Sequence, residues 1–155
     1  MSQGNYILCG NPSFYSGTVA IVNKVLAALP GAEKEVLDLN ALLTSSGKPT
    51  VKYLNTSITE DTLMRLRDPK VFHIATHGFF KEPDDLDEDD DLSADPMLNS
   101  GLILYGGGDI VNDPENTFVN SKEGILTAYE ATNLHFDNTE LVVLSACETG
   151  RGEVP

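Results

Sequence analysis

The run Val71-Phe72-His73-Ile74-Ala75-Thr76 constrains this chain most, because its apolar side chains fall on both alternating faces. A strand of that kind has to be covered on both sides, as when helices pack over a parallel sheet. Tyr6-Ile7-Leu8-Cys9, Thr50-Val51-Lys52-Tyr53-Leu54 and Glu140-Leu141-Val142-Val143-Leu144-Ser145-Ala146 read as companion strands, and the last is the clearest. Leu102-Ile103-Leu104-Tyr105 reads as a further strand, with Phe118-Val119 as a weak antiparallel return.

Between these runs the apolar spacing turns helical. Val19, Val22, Leu26 and Leu29 predict one helix, broken by Pro30-Gly31. Val36, Leu39, Leu42 and Leu43 predict a second that ends near Gly47, with Glu33 and Glu35 in its first turn, where the helix dipole favours anions. Ser57 with Glu60 forms a capping-box pattern ahead of Leu63, Met64 and Leu66, and Asp68-Pro69 stops that helix. Ile125, Leu126, Tyr129 and Leu134 predict another short one. The order is that of an α/β domain with a mostly parallel central sheet. Functional groups in such sheets gather outside the carboxyl ends of the strands.

Charge narrows the partners. Of 24 acidic residues, nine lie between Glu82 and Asp95, so the net charge of −14 falls to −5 once that tract is set aside. Such a balance disfavours nucleic acid and anionic lipid. The tract at 81–95 has too few apolar residues to order itself by burial and reads as a flexible loop. Its carboxylates suit Ca²⁺, but the glycine and regular spacing of an EF-hand loop are missing, so a solvated loop is the better reading and no metal is assigned. Gly106-Gly107-Gly108 is no phosphate cradle, since no Lys-Ser/Thr follows it.

Two cysteines in 155 residues exclude a disulfide framework and a four-thiolate zinc site, and a reducing compartment is the simplest setting. The longest apolar runs fall far short of the roughly 18 residues that read as a membrane span, and residues 1–5 carry no basic region. A cytoplasmic protein without a membrane segment is expected.

His77 follows the third main strand and Cys147 follows the fourth. If those strands pair at roughly 4.8 Å, imidazole and thiol meet on one rim. A free thiol, with a reference pKa of about 8.5, is mostly protonated at neutral pH, and His77 is placed to act as its base. Gly78, lacking a Cβ, lets a substrate carbonyl approach its N–H, which with that of Cys147 forms a candidate oxyanion hole. Duller readings stand beside these. A strand-end cysteine is usually a small core residue, and Cys9 reads so. His73 reads as a core or interface residue, and His135 as solvated.

The segments His73-Ile74-Ala75-Thr76-His77-Gly78-Phe79-Phe80 and Leu141-Val142-Val143-Leu144-Ser145-Ala146-Cys147-Glu148-Thr149-Gly150 closely resemble the CHAT-domain family of caspase-like cysteine proteases. Leu29 to Val36, Asn99 to Leu104 and Gly124 to Glu130 add supporting matches, so the resemblance covers nearly the whole chain. It implies a caspase-like three-layer α/β sandwich, a protein or peptide substrate and no cofactor. It makes His77 the general base, Cys147 the nucleophile and Gly78 an oxyanion contributor. Glu148 is a candidate substrate-binding residue for a basic side chain. Members of the family commonly carry sensor repeats ahead of this domain, so a separate sensor or repeat domain is a further expected partner.

The resembled fold continues well past the alanine-cysteine motif, whereas eight residues follow Cys147 here. Residues 1–155 therefore read as the large-subunit portion of a domain incomplete at its C-terminus, partnered by a missing small-subunit portion or a second chain. Truncation, processing and degeneracy all remain open, and little turnover is expected of this chain alone. The rival readings are a non-enzymatic interaction module that uses an exposed sheet edge, and a flavodoxin-like ligand binder, which lacks a phosphate-binding loop after Cys9.

Overall fold

The computed structural model of the chain describes residues 4–17, 21, 23–80, 97–112 and 124–149, with the backbone alone at 147–149. The acidic tract and Phe118-Val119 lie outside the described residues. Ten elements follow in the order β1 (Tyr6–Pro12), α1 (Pro30–Ser45), β2 (Thr50–Asn55), α2 (Glu60–Arg65), β3 (Val71–Phe80), β4 (Ser100–Ile103), α3 (Gly107–Val111), β5 (Ile125–Thr127), α4 (Ala128–Ala131) and β6 (Leu141–Thr149).

The sheet is organised around β3, which is buried along nearly its whole length. A strand has two edges. β6 runs parallel to β3 from Val71 to Phe79 and so occupies one of them. The other edge is shared: β1 pairs parallel with residues 71–75 and β4 pairs antiparallel with 78–80. β2 extends the sheet beyond β1 in parallel, and β5 extends it beyond β4 in antiparallel sense. The sheet is therefore mixed: β2–β1, β1–β3 and β3–β6 pair in parallel as expected, and β3–β4 and β4–β5 are antiparallel. The antiparallel part is the short pair β4–β5, in which Ile125 and Leu126 fill a strand rather than the predicted helix and are fully or almost fully buried.

The turns before β3 and β6 align these strands with the start of β1. Lys70 N–H donates to the Asn5 carbonyl, while the Lys70 carbonyl accepts from Glu140 and Leu141. Tyr6, Val71 and Leu141 consequently start level.

Alternation divides the core in two. Ile7, Cys9, Phe72 and Ile74 pack with Ile58 and with Leu63 of α2 on one face. On the opposite face α1 lays the fully buried Val36 on β1 at Gly10, and Phe79 joins Phe14, Leu26, Ile103 and Ile125. Each face buries several large apolar side chains, at roughly 25 cal/mol per Å² removed from water.

Several local expectations are revised. Residues 23–29 are not helical, because side chains from elsewhere take their backbone groups; Val19 and Val22 lie outside the described residues. Pro30 opens α1 instead of breaking a helix, which is allowed because the first helical N–H has no intrahelical acceptor to lose. α2 is capped by Thr59, which accepts from Thr62 N–H, whereas Ser57 bonds Leu54. The true capping box is Thr127 with Glu130, at the start of α4. Tyr105 lies in a turn and Gly107-Gly108 begin a helix. β3 and β6 both run past their expected ends, so His77, Gly78 and Cys147 lie inside strands.

Candidate active site

His77 is the seventh residue of β3 and is 7% exposed, enclosed by the sheet and by the segment after β1. Its ring packs against Phe14, with centroids 4.8 Å apart and planes tilted by 50°. Nε2 lies 2.9 Å from the carbonyl oxygen of Ala27. A carbonyl only accepts, so this nitrogen carries the proton and the neutral ring keeps its lone pair on Nδ1. Nδ1 is buried as well and has no hydrogen-bond partner among the described residues. The arrangement leaves one ring nitrogen anchored and the other buried without a partner.

The ladder puts Cys147 directly opposite. His77 and Cys147 are Cα partners in the parallel pairing of β3 with β6, at a strand spacing of about 4.8 Å. Register partners share a face, so position 147 lies on the His77 face of the sheet. The side chains of Cys147 and Glu148 lie outside the described ones, and the backbone alone fixes where these residues stand. Gly78 is bracketed on both edges, by Leu102 of β4 and by Glu148 of β6.

The remaining candidates separate from this pair. His73 is buried beneath α1, its Nε2 3.5 Å from the Glu35 carboxylate, an interface contact four residues before His77 on the same strand. Cys9 is fully buried in the opposite core, and that burial pushes its thiol up to about 12. His135 is exposed and its carbonyl accepts from Asp68 N–H. Among the described residues no group of His, Cys, Asp and Glu is arranged to hold a metal. No helix among them is long and apolar enough to cross a membrane.

Two cavities lie among the described residues, and neither is lined by His77. One, of about 760 Å³, is lined by Ser16, Thr59, Glu60, Tyr105, Asp109 and Ile110. The other, of about 610 Å³, is largely apolar and runs along Gly78, Phe80, Leu102, Val142, Leu144 and Ala146.

Sequence reasoning missed Phe14 and Ala27. No signal in the sequence marks Ala27, since any residue would present the same carbonyl. Phe14 follows β1 at a place where the spacing gives no hint of which strand it will meet.

A family model described as the CHAT domain matches residues 2–155. No curated protein and no solved structure matches the chain.

Proposed function

Because this chain belongs to the CHAT domain family, which is associated with caspase-like cysteine peptidases, we propose that its site hydrolyses peptide bonds through Cys147 and His77 in a caspase-like α/β frame. The observation that carries the reading is the register pairing of these two residues, with His77 anchored at Nε2 and its Nδ1 left as a base.

In the proposed reaction the Cys147 thiol gives its proton to Nδ1 of His77, and the thiolate attacks the scissile carbonyl carbon. The C=O pair moves onto oxygen, where the N–H groups of Gly78 and Cys147 would stabilise the oxyanion. Collapse breaks the C–N bond as the imidazolium returns its proton to the leaving amine, leaving an acyl-enzyme. Water then gives a proton to His77 as its oxygen attacks the thioester carbon; the C–S bond breaks, the acid is released, and the Cys147 thiolate takes the proton back from the imidazolium. The Ala27 carbonyl holds the ring in place through the whole cycle. Gly78 lies between two strands, so a substrate reaches its N–H only where that ladder parts. Glu148, the register partner of Gly78, is assigned to a basic substrate side chain. The partner is a protein or peptide substrate, and a sensor domain in another segment or chain would supply regulation.

The test is covalent trapping with a peptidyl acyloxymethyl ketone. The reading expects one adduct, on Cys147, lost in His77→Ala; no adduct on Cys147 in the folded chain contradicts it. A second reading, a non-enzymatic interaction module, draws on β6, where Leu141, Val142 and Leu144 are 53%, 47% and 59% exposed. An inert Cys147 with tight partner binding would favour it.

A further inference from the structure

The carbonyl that anchors His77 belongs to a segment with no ladder of its own. Residues 23–29 form neither helix nor strand, yet besides the Ala27 carbonyl four of their backbone groups are hydrogen-bonded to side chains brought from elsewhere in the chain. The Asn23 carbonyl accepts from Asn112 Nδ2. Val25 N–H donates to Asn112 Oδ1 at 3.4 Å, and Leu26 N–H donates to the Tyr15 hydroxyl at 3.0 Å. On the far side of Ala27, Leu29 N–H donates to Asn11 Oδ1 at 2.8 Å. The Tyr15 hydroxyl donates in turn to Asn112 Oδ1 at 2.5 Å, closing the set. Ala27 is thus gripped from both sides.

Asn112 occupies a fixed place, as the C-cap of α3. That helix is pressed on the segment leaving β1: Gly108 N–H donates to the Phe14 carbonyl at 2.6 Å, and the Asp109 carboxylate accepts from Ser16. Only a residue without a Cβ fits at 108, since a Cβ there would stand 2.6 Å from the Phe14 oxygen and 2.8 Å from the Tyr15 ring. One face of α3 therefore sets the height of Phe14, which packs on His77, and its cap sets the height of Ala27, which bonds His77.

We propose that Asn112 and Tyr15 are positioning residues for His77, a clamp that holds the Ala27 carbonyl where it fixes the imidazole tautomer. The proposal rests on the peptidase reading above, but its physical claim concerns the histidine and is measurable without a substrate. An amide satisfies both roles because its oxygen accepts twice while its nitrogen donates once. One side chain making three bonds to residues 87 to 97 positions away ties the far part of the chain to the rim.

The experiment uses the 155-residue chain labelled with ¹⁵N-histidine, with Tyr15→Phe and Asn112→Ala. Tyr15→Phe keeps the ring that stacks under Lys24 and removes only the hydroxyl. Expected is a single Nε2–H tautomer at His77 in the parent, and a mixture of tautomers in both variants at unchanged circular dichroism. Alkylation of Cys147 should fall on the order of five- to tenfold in each, the scale of one lost hydrogen bond. If Asn112→Ala does not fold, Tyr15→Phe alone decides. An unchanged tautomer and unchanged alkylation in the folded variant overturn the clamp. Failure of the dyad reads differently: His77→Ala would then alkylate at Cys147 like the parent, whatever the tautomer experiment shows.

Discussion

His77 and Ala27 are joined by a 2.9 Å hydrogen bond across fifty residues of sequence, and the bond uses the main chain of one partner and the side chain of the other. Because the alanine side chain takes no part in it and Ala27 is exposed, Ala27→Ser should leave the His77 tautomer and the Cys147 alkylation rate unchanged, read by ¹⁵N NMR and mass spectrometry. Phe14→Leu should behave otherwise. It removes a buried ring that packs on the imidazole and should cost about 1 kcal/mol or more in denaturant unfolding.

Cys9 and Cys147 should separate by reactivity. Burial raises the Cys9 thiol from 9.0 to about 12, so it stays neutral and unlabelled in the folded chain between pH 7 and 9. The same shift makes stability depend on pH. Folding favours the neutral thiol, so its contribution is full below 9.0 and is lost as pH rises toward 12, at up to about 1.4 kcal/mol per pH unit. Relative to Cys9→Ala, the parent should lose stability in urea titrations only above pH 9.

Gly108→Ala should destabilise by about 1–3 kcal/mol, because the new methyl meets backbone oxygen and an aromatic ring that are both held in place. A urea midpoint equal to the parent's would mean that α3 is free to move away from Phe14.

Asp68 ties the turn before β3 to the turn before β6, accepting from Asn138 N–H and Nδ2, each at 3.0 Å. These bonds hold its carboxyl below the usual carboxylate range. A lowered value gives stability that is present above the ordinary carboxylate pKa and lost as pH falls through the lowered one. Asp68→Asn, which tolerates the positive φ of 45° at this position, should therefore melt below the parent at pH 7, with the difference closing on acidification.

What could be read in advance followed from short-range pattern. The apolar runs that became β1, β2, β3 and β6 were legible because both faces of β1 and β3 are buried, which writes itself into consecutive residues. Ile125 and Leu126 were misread because two apolar residues before a helix satisfy either period, and only β4 decides that they are a strand. Residues 23–29 were misread for a related reason: Leu26 and Leu29 suit a helix locally, but Tyr15, Asn11 and Asn112 offer their backbone better partners at long range. The pairing of His77 with Cys147 was expected from strand order, though as neighbours beyond the strand ends rather than within a ladder. The Ala27 carbonyl and the clamp around it had no sequence signature, since main-chain groups carry none.

The most direct measurement is the second-order rate of iodoacetamide modification at Cys147, at pH 7, in the parent and in His77→Ala, with sites assigned by peptide mapping. A thiol paired with a base reacts through an enlarged thiolate fraction, so the rate should fall by about tenfold or more in the variant. Equal rates in two equally folded proteins would mean that the imidazole does not act on the thiol, and the proposed dyad would be wrong.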